Sequence, residues 1–341
     1  MGKNVVVCLD GTGNQVEARS STNVVRLYEM LDLSDPGSQV AYYDPGVGTF
    51  GAQGAWTSTG RAVSKLVGLA FGVGIRENLA EAYQFLMRHW EPEDRLFIFG
   101  FSRGAFAARA LAGLIHRAGL FRDGSENLVR YLVANYTGHR GDWTGADWNQ
   151  IDKMSVAFAH AHKGSRSVPV EFLGVWDTVR AAGILRRSMT WPYTRQLPNV
   201  QHAWHALSIN EKRRPYREYV IQATEKTTVN EVWFAGVHSD VGGTFADDSR
   251  LAEIALKWMV DGARDRGLLV RDRAYRRVCA IDADHANGVV HRMGWIWALL
   301  GRRRRVLPAA ARVHASVRMR TPPLDHRIPD DAVWEDETWP M

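Results

Sequence analysis

The chain has 341 residues, 45% of them hydrophobic, which is enough for a large buried core and excludes disorder as its organising state. Its formal net charge of +6 would suit an anionic surface or simple solubility, but the excess gathers late, in Arg302, Arg303, Arg304 and Arg305, and no nucleic-acid partner is expected. Two distant cysteines, Cys8 and Cys279, supply neither a disulfide framework nor a metal-spaced cluster.

Residues 5–9 read as a strand that begins almost at the N-terminus, with no basic, apolar and cleavable leader before it. With no apolar stretch long enough to span a bilayer, a soluble, cytoplasmic protein is expected, open to delivery by a dedicated secretion system. The strand ends in a polar glycine turn, Leu9-Asp10-Gly11-Thr12-Gly13-Asn14. Residues 40–43 form the second apolar run, and the glycine-rich stretch 46–74 reads as a long loop. Ile75, Leu79, Ala82, Tyr83, Leu86 and Trp90 then recur at helical spacing, with Pro92 as a stop. Residues 96–99 are the third run. Residues 121–166 mix helical patches with Tyr136, Trp143 and Trp148 and read as an insertion, a candidate cap. Further strands are expected at 170–176, 219–222 and 232–237. A helix follows, with Leu251, Ile254, Ala255, Trp258 and Met259 on one face and Asp248 or Ser249 as its cap. The alternation predicts an α/β fold, a mostly parallel sheet with helices on both faces and helical insertions forming a cap, over residues 1–275. Residues 276–341 form a C-terminal extension packed on that domain. Within it, Trp295 and Trp297 precede the four arginines, a candidate peripheral membrane or partner surface. A partly buried hairpin or helix with a solvated charged end is the alternative.

The strongest chemical signal is Gly100-Phe101-Ser102-Arg103-Gly104, placed between the apolar run 96–99 and an alanine-rich helix. In a nucleophile elbow the serine occupies a strained strand-to-helix turn, and the flanking glycines let backbone pass where a Cβ would clash. Such a serine needs a base and an orienting carboxylate, which in α/β-hydrolases follow in the order acid, then histidine. Asp177 ends the apolar run 170–176, and His238 ends the run 232–237 before Gly242 and Gly243. Asp240 is the rival carboxylate, able either to orient His238 or to fix its loop, and is assigned to the surrounding shell. The backbone N–H groups of Arg103 and of Gly11 or Thr12 are the candidate oxyanion-hole donors. Asp10 is undecided between holding a cation and closing its turn. This chemistry calls for no cofactor or metal.

Four ordered motifs carry a resemblance: Leu9-Asp10-Gly11-Thr12-Gly13-Asn14, Gly100-Phe101-Ser102-Arg103-Gly104-Ala105, Gly174-Val175-Trp176-Asp177-Thr178-Val179 and Gly236-Val237-His238-Ser239-Asp240-Val241-Gly242-Gly243. They resemble the uncharacterised α/β-hydrolase domain family that includes phospholipase effectors of type VI secretion. The resemblance implies a Ser102-Asp177-His238 triad and ester hydrolysis, with phospholipids as the substrates of the characterised branch. Two positions depart from the family pattern: Asn210 stands where an acid precedes Glu211, and Thr244 where a third glycine is frequent. A soluble small-ester acyl hydrolase and a non-enzymatic membrane- or partner-binding module with a vestigial site are the competing readings.

Overall fold

Alternate residues of the central strands face two different cores. Val5, Val7 and Leu9 enter one, with Leu96 and Ile98, while Val6 and Cys8 enter the other, with Phe97, Phe99 and Phe101. Strands buried on both faces have no polar side to alternate with, so they read as continuous apolar runs. The structure is a computed structural model and describes residues 2–11, 21–46, 74–138, 143, 145–162, 164–182, 187–188, 190–292 and 301–340.

In chain order the elements are β1 (Asn4–Leu9), α1 (Asn23–Met30), β2 (Gln39–Asp44), α2 (Ile75–His89), β3 (Arg95–Phe101), α3 (Arg103–Ala118), α4 (Val129–Gly138), α5 (Gly145–Phe158) and β4 (Val170–Trp176). A two-residue ladder, β5 (Ala181–Ala182) with β6 (Arg187–Ser188), is followed by β7 (Val200–Ser208), β8 (Thr228–Phe234), α6 (His238–Gly242), α7 (Arg250–Arg264), α8 (Asp272–Val278), β9 (Arg312–His314) and β10 (Val333–Glu335). Eight strands form one parallel sheet in the order β10-β9-β8-β7-β4-β3-β1-β2, the α/β architecture of a hydrolase-like fold. β2 lies on one side of β1 and β3 on the other, so the winding reverses between β1 and β3. Ligand sites of open parallel sheets gather at the carboxyl edge of such a switch point.

Helices α2 to α5 cover one face and α1 and α7 the other. The predicted apolar positions of α2 are buried, and Trp90 caps it by donating its N–H to Leu86 O at 2.9 Å. At the start of α7, Asp248 Oδ1 accepts the N–H of Arg250 at 3.0 Å, whereas the Ser249 hydroxyl turns to Glu253. The helices of the 121–166 insertion pack on α2 and α3. Asp152 meets Arg117 at 2.5 Å near the far end of α3, and Arg76 at the start of α2 donates to Thr137 O. Among the described residues, no hydrogen bond or ion pair joins this insertion to Ser102, Asp177 or His238. The expected loop over 46–74 lies, from residue 47 to 73, outside the described residues.

Two expectations about strands are corrected. Residues 219–222 make no strand; Gln222 forms only an isolated bridge to Gln196. The strand in that part of the sheet is β7, whose His202 and His205 break the apolar run that sequence reading looks for. His205 is fully buried there because Glu231 Oε1 lies 2.7 Å from its Nδ1. β8 begins earlier than expected and stops at Phe234, before the turn at Gly236. The C-terminal extension adds β9 and β10 to the sheet itself. Among the described residues, no helix is long and apolar enough to cross a membrane.

The insertion is tied to α2 through Tyr83, whose buried hydroxyl donates to Gly119 O at 2.8 Å and accepts the N–H of Phe121 at 3.1 Å. Tyr83→Phe strands both backbone groups in the core, and urea denaturation should register a loss of about 1–3 kcal/mol. An unchanged midpoint would mean that the two groups find other partners.

Candidate active site

Strand register brings the site together before any side chain is considered. Phe101 of β3 pairs with Trp176 of β4, so Ser102 and Asp177 leave adjacent strands at the same level. Trp176 pairs with Ala206 of β7, and Ser208 two residues on pairs with Phe234 of β8. β8 is three strands from β3, so its chain must turn back to reach the serine. Gly236, at φ +112°, makes that turn, and a Cβ there would sit 2.4 Å from the Cβ of Asp240.

Ser102 occupies the elbow with φ 59° and ψ −118°, a conformation disfavoured for any residue bearing a Cβ. Its N–H donates to Trp176 O at 3.1 Å, and its carbonyl accepts from Phe106 in the first turn of α3. Both glycines of the motif are required by close approach. A Cβ on Gly104 would lie 2.1 Å from Leu9 O, and one on Gly100 would lie 2.5 Å from Gly104 O. The helix therefore packs directly on the carboxyl end of β1, and the serine is held above the sheet's edge.

Three side chains far apart in sequence meet there. His238 Nε2 lies 2.8 Å from Ser102 Oγ, and His238 Nδ1 lies 2.7 Å from Asp177 Oδ2. Phe101 stacks on the imidazole at 4.6 Å, and Tyr216 meets it edge-on at 4.8 Å. His238 and Asp177 are buried, and Ser102 retains 9% exposure. Burial lowers the affinity of the His238 ring for a proton below the ordinary histidine range, although Asp177 pulls the other way. Burial would raise the Asp177 carboxyl, but Arg305 and His238 outweigh it and hold it well below the usual carboxylate range.

Residues 3–262 match the family described as the type VI secretion system (T6SS) Tle1-like phospholipase effector catalytic domain. The chain belongs to that family. It is 33% identical over 221 residues to the uncharacterized protein YEL023C of Saccharomyces cerevisiae, a match covering 64% of this chain and 32% of that protein. Among solved structures, an uncharacterized protein from Pseudomonas aeruginosa aligns at TM-score 0.41 and 18% identity, covering 83% of this chain and 48% of that one. The Tle1 effector bound to the VgrG spike aligns at TM-score 0.35 and 20% identity, covering 72% and 52%. The chain thus spans about a third of the length of its curated relative and about half of each solved chain.

Around the three residues of this Tle1-like domain, the other expectations fare unevenly. Arg103 opens α3, the helix that follows the serine, and its side chain is buried, with burial bringing its guanidinium down to about 10. The N–H of Gly11 donates to Asp10 Oδ1 at 2.6 Å, and Thr12 lies outside the described residues. Asp10 also accepts from Thr22 Oγ1 at 2.5 Å and from the Tyr43 hydroxyl at 3.0 Å, so it closes the β1 turn by side-chain bonds. Asp240 accepts the N–H of Val237 at 2.8 Å and pairs with His291 Nδ1 at 2.5 Å, fixing the His238 loop without binding its ring. Asn210, the departure from the family pattern, accepts the N–H of Gly236 at 2.8 Å and steadies the same turn.

The proposed membrane surface needs one correction. Arg302, Arg303 and Arg304 are exposed, and Trp295 and Trp297 lie outside the described residues, but Arg305 is buried against Asp177. Sequence reasoning missed Arg305 because nothing in a run of four arginines singles out the fourth. It also missed Ser208, whose N–H and hydroxyl both reach the Asp177 carboxylate at 3.0 and 3.1 Å. Glu211, next to Asn210, accepts the His238 N–H at 3.2 Å and pairs with Arg213 at 2.9 Å.

The ring of His238 is expected to be neutral at pH 7, with its Nδ1 proton on the Asp177 side. Nitrogen-15 NMR of the imidazole should show titration below the ordinary midpoint of about 6.5. A ring still protonated at pH 7 would contradict this environment.

Proposed function

We propose that the chain is a lipolytic serine hydrolase that cleaves carboxylic esters of phospholipids by two-step acyl transfer. The observation that carries this reading is the unbroken hydrogen-bond run from Ser102 through His238 to Asp177 in a chain of the phospholipase effector family. A serine hydroxyl is a poor nucleophile at neutral pH, and an imidazole 2.8 Å away can accept its proton as attack proceeds. Asp177 holds the ring in the tautomer that leaves Nε2 as acceptor and stabilises the imidazolium that forms.

In the first step Ser102 Oγ bonds to the ester carbonyl carbon while its proton passes to His238 Nε2. The tetrahedral oxyanion sits at the first turn of α3, where the Arg103 N–H is the proposed donor. Collapse breaks the bond to the leaving alcohol, which takes the proton from His238, and an acyl-serine remains. A water molecule then gives its proton to His238 and attacks that ester, and His238 returns the proton to Ser102 Oγ as the acyl–oxygen bond breaks, releasing the fatty acid and restoring the serine. Delivery by a type VI machine belongs to the same proposal and rests on the family description.

The test is a substrate panel of phosphatidylcholine and phosphatidylglycerol vesicles beside short-chain soluble esters, run with the parent protein and Ser102→Ala. Fatty-acid release from vesicles should fall by at least about 10³-fold in the variant, and Asp177→Asn should lower kcat by about 10⁴-fold, as loss of the orienting acid does in serine proteases. Undiminished hydrolysis by Ser102→Ala removes the serine mechanism. Hydrolysis of short esters without release from vesicles would instead identify a small-ester hydrolase.

A further inference from the structure

Arg305 lies outside the region matched by the family, yet it reaches the centre of the site. Backbone pairing delivers it. The Arg214 N–H donates to Gly301 O at 3.1 Å, the Arg303 N–H donates to Lys212 O at 2.8 Å, and Arg302 bridges Arg213 in antiparallel fashion. The segment thereby runs beside residues 212–214, which follow β7, and its fifth residue turns inward while Arg302, Arg303 and Arg304 stay exposed.

The guanidinium grips Asp177 with two nitrogens, Nη1 at 2.5 Å from Oδ1 and Nη2 at 3.1 Å from Oδ2. Nη1 also reaches Ser208 O at 2.9 Å and Ser208 Oγ at 2.8 Å, and Nη2 reaches Tyr216 O at 2.6 Å, while the buried Nε has no hydrogen-bond partner among the described residues. This is the planar fork that arginine offers a carboxylate and lysine does not. Oδ2, the oxygen that Nη2 reaches, also lies 2.7 Å from His238 Nδ1. Asp177 thus stands between a permanent cation and the imidazole.

We infer that Arg305 is a positioning residue of the site: its charge keeps the Asp177–His238 pair from taking up a proton, and its fork fixes the carboxylate that orients the imidazole. The inference rests on the serine-hydrolase reading above. A carboxylate already paired with a cation stabilises an imidazolium less than a bare one does. Removing the cation therefore makes protonation of the pair easier, whichever of the two groups carries the proton. The other charged and titratable neighbours stay in place. Glu211 and Arg213 face His238 from the segment after β7, Tyr216 meets the ring edge-on, and His205, with Glu231 and Arg109, lies behind Thr178.

The experiment is the pH dependence of kcat/KM on a short-chain soluble ester for the parent protein, Arg305→Gln, Arg305→Lys and the exposed control Arg304→Gln, with Ser102→Ala alongside. Arg305→Gln should move the acid limb to higher pH by about one unit or more. Arg305→Lys should keep the limb near its parental position while kcat falls several-fold, because one ammonium cannot reproduce the fork. Arg304→Gln should change neither. A purely structural arginine would lower activity without moving the limb, so an unmoved limb in a folded Arg305→Gln overturns the inference, as does a limb displaced in Arg305→Lys. If Arg305→Gln does not fold, the neutral Arg305→Met takes its place and is read by the same criterion. Activity that survives in Ser102→Ala sinks the hydrolase reading and this inference with it, whereas Ser102-dependent activity with an unmoved limb sinks this inference alone.

Discussion

A fully buried carboxylate has to be compensated where it stands, and Asp177 is that group in this fold. It is ionised at the carboxyl edge of a sheet whose strands have no polar face, so its charge must be met by donors brought from elsewhere. Two come from Ser208 at the end of β7, two from Arg305 in the C-terminal extension, and one from His238 after β8. The consequence is geometric. Each donor arrives from a different stretch of chain, so satisfying one carboxylate fixes the positions of three segments relative to β4. A buried ion pair of this kind adds little net stability over an apolar replacement, but breaking it by removing one partner typically costs about 3–5 kcal/mol. What it supplies is a defined place for the imidazole, and through the imidazole for the serine.

The backbone supports the same arrangement. Parallel register sets residues 102 and 177 side by side on neighbouring strands, and the winding reversal between β1 and β3 opens the sheet's carboxyl edge next to them. The strained backbone at Ser102 is held by tight contacts that only glycine permits, with α3 pressed onto the carbonyls of Leu9 and Asp10 through Gly104. Asp177 itself has positive φ, at 39°, and its N–H is tied to Ala206 O at 2.8 Å. Gly242 lets α6 approach the Phe101 ring, which in turn stacks on His238. Small residues and strain concentrate where the three side chains converge.

Much of this was legible in the sequence, for reasons that can be named. β1, β3 and β4 are buried on both faces and announce themselves as apolar runs, and α2 and α7 carry their apolar faces at helical spacing. Ser102, Asp177 and His238 were readable because each follows such a run at a turn. β7 was not, since the partners of its buried His205 come from distant stretches of chain, Glu231 on β8, Arg109 on α3 and the N–H of Thr178. β9 and β10 are three residues each, too short for any periodicity. Arg305 illustrates the general limit. Its composition reads as a solvated charge run, and only tertiary pairing with residues 212–214 reveals which of four arginines turns inward. The bond that the Gly11 N–H makes to the carboxylate of the preceding residue is likewise local geometry that the sequence does not announce.

The chain belongs to the Tle1-like family over residues 3–262, and the extension beyond that matched region is joined to the same sheet and to the same carboxylate. The account turns on whether the imidazole held by Asp177 activates the hydroxyl of Ser102. Mass spectrometry of the protein after reaction with a fluorophosphonate measures this directly. The account predicts a single adduct per chain, mapped to Ser102 and lost when His238 is replaced by alanine. An adduct on another residue, or labelling of Ser102 at an undiminished rate without His238, would contradict it.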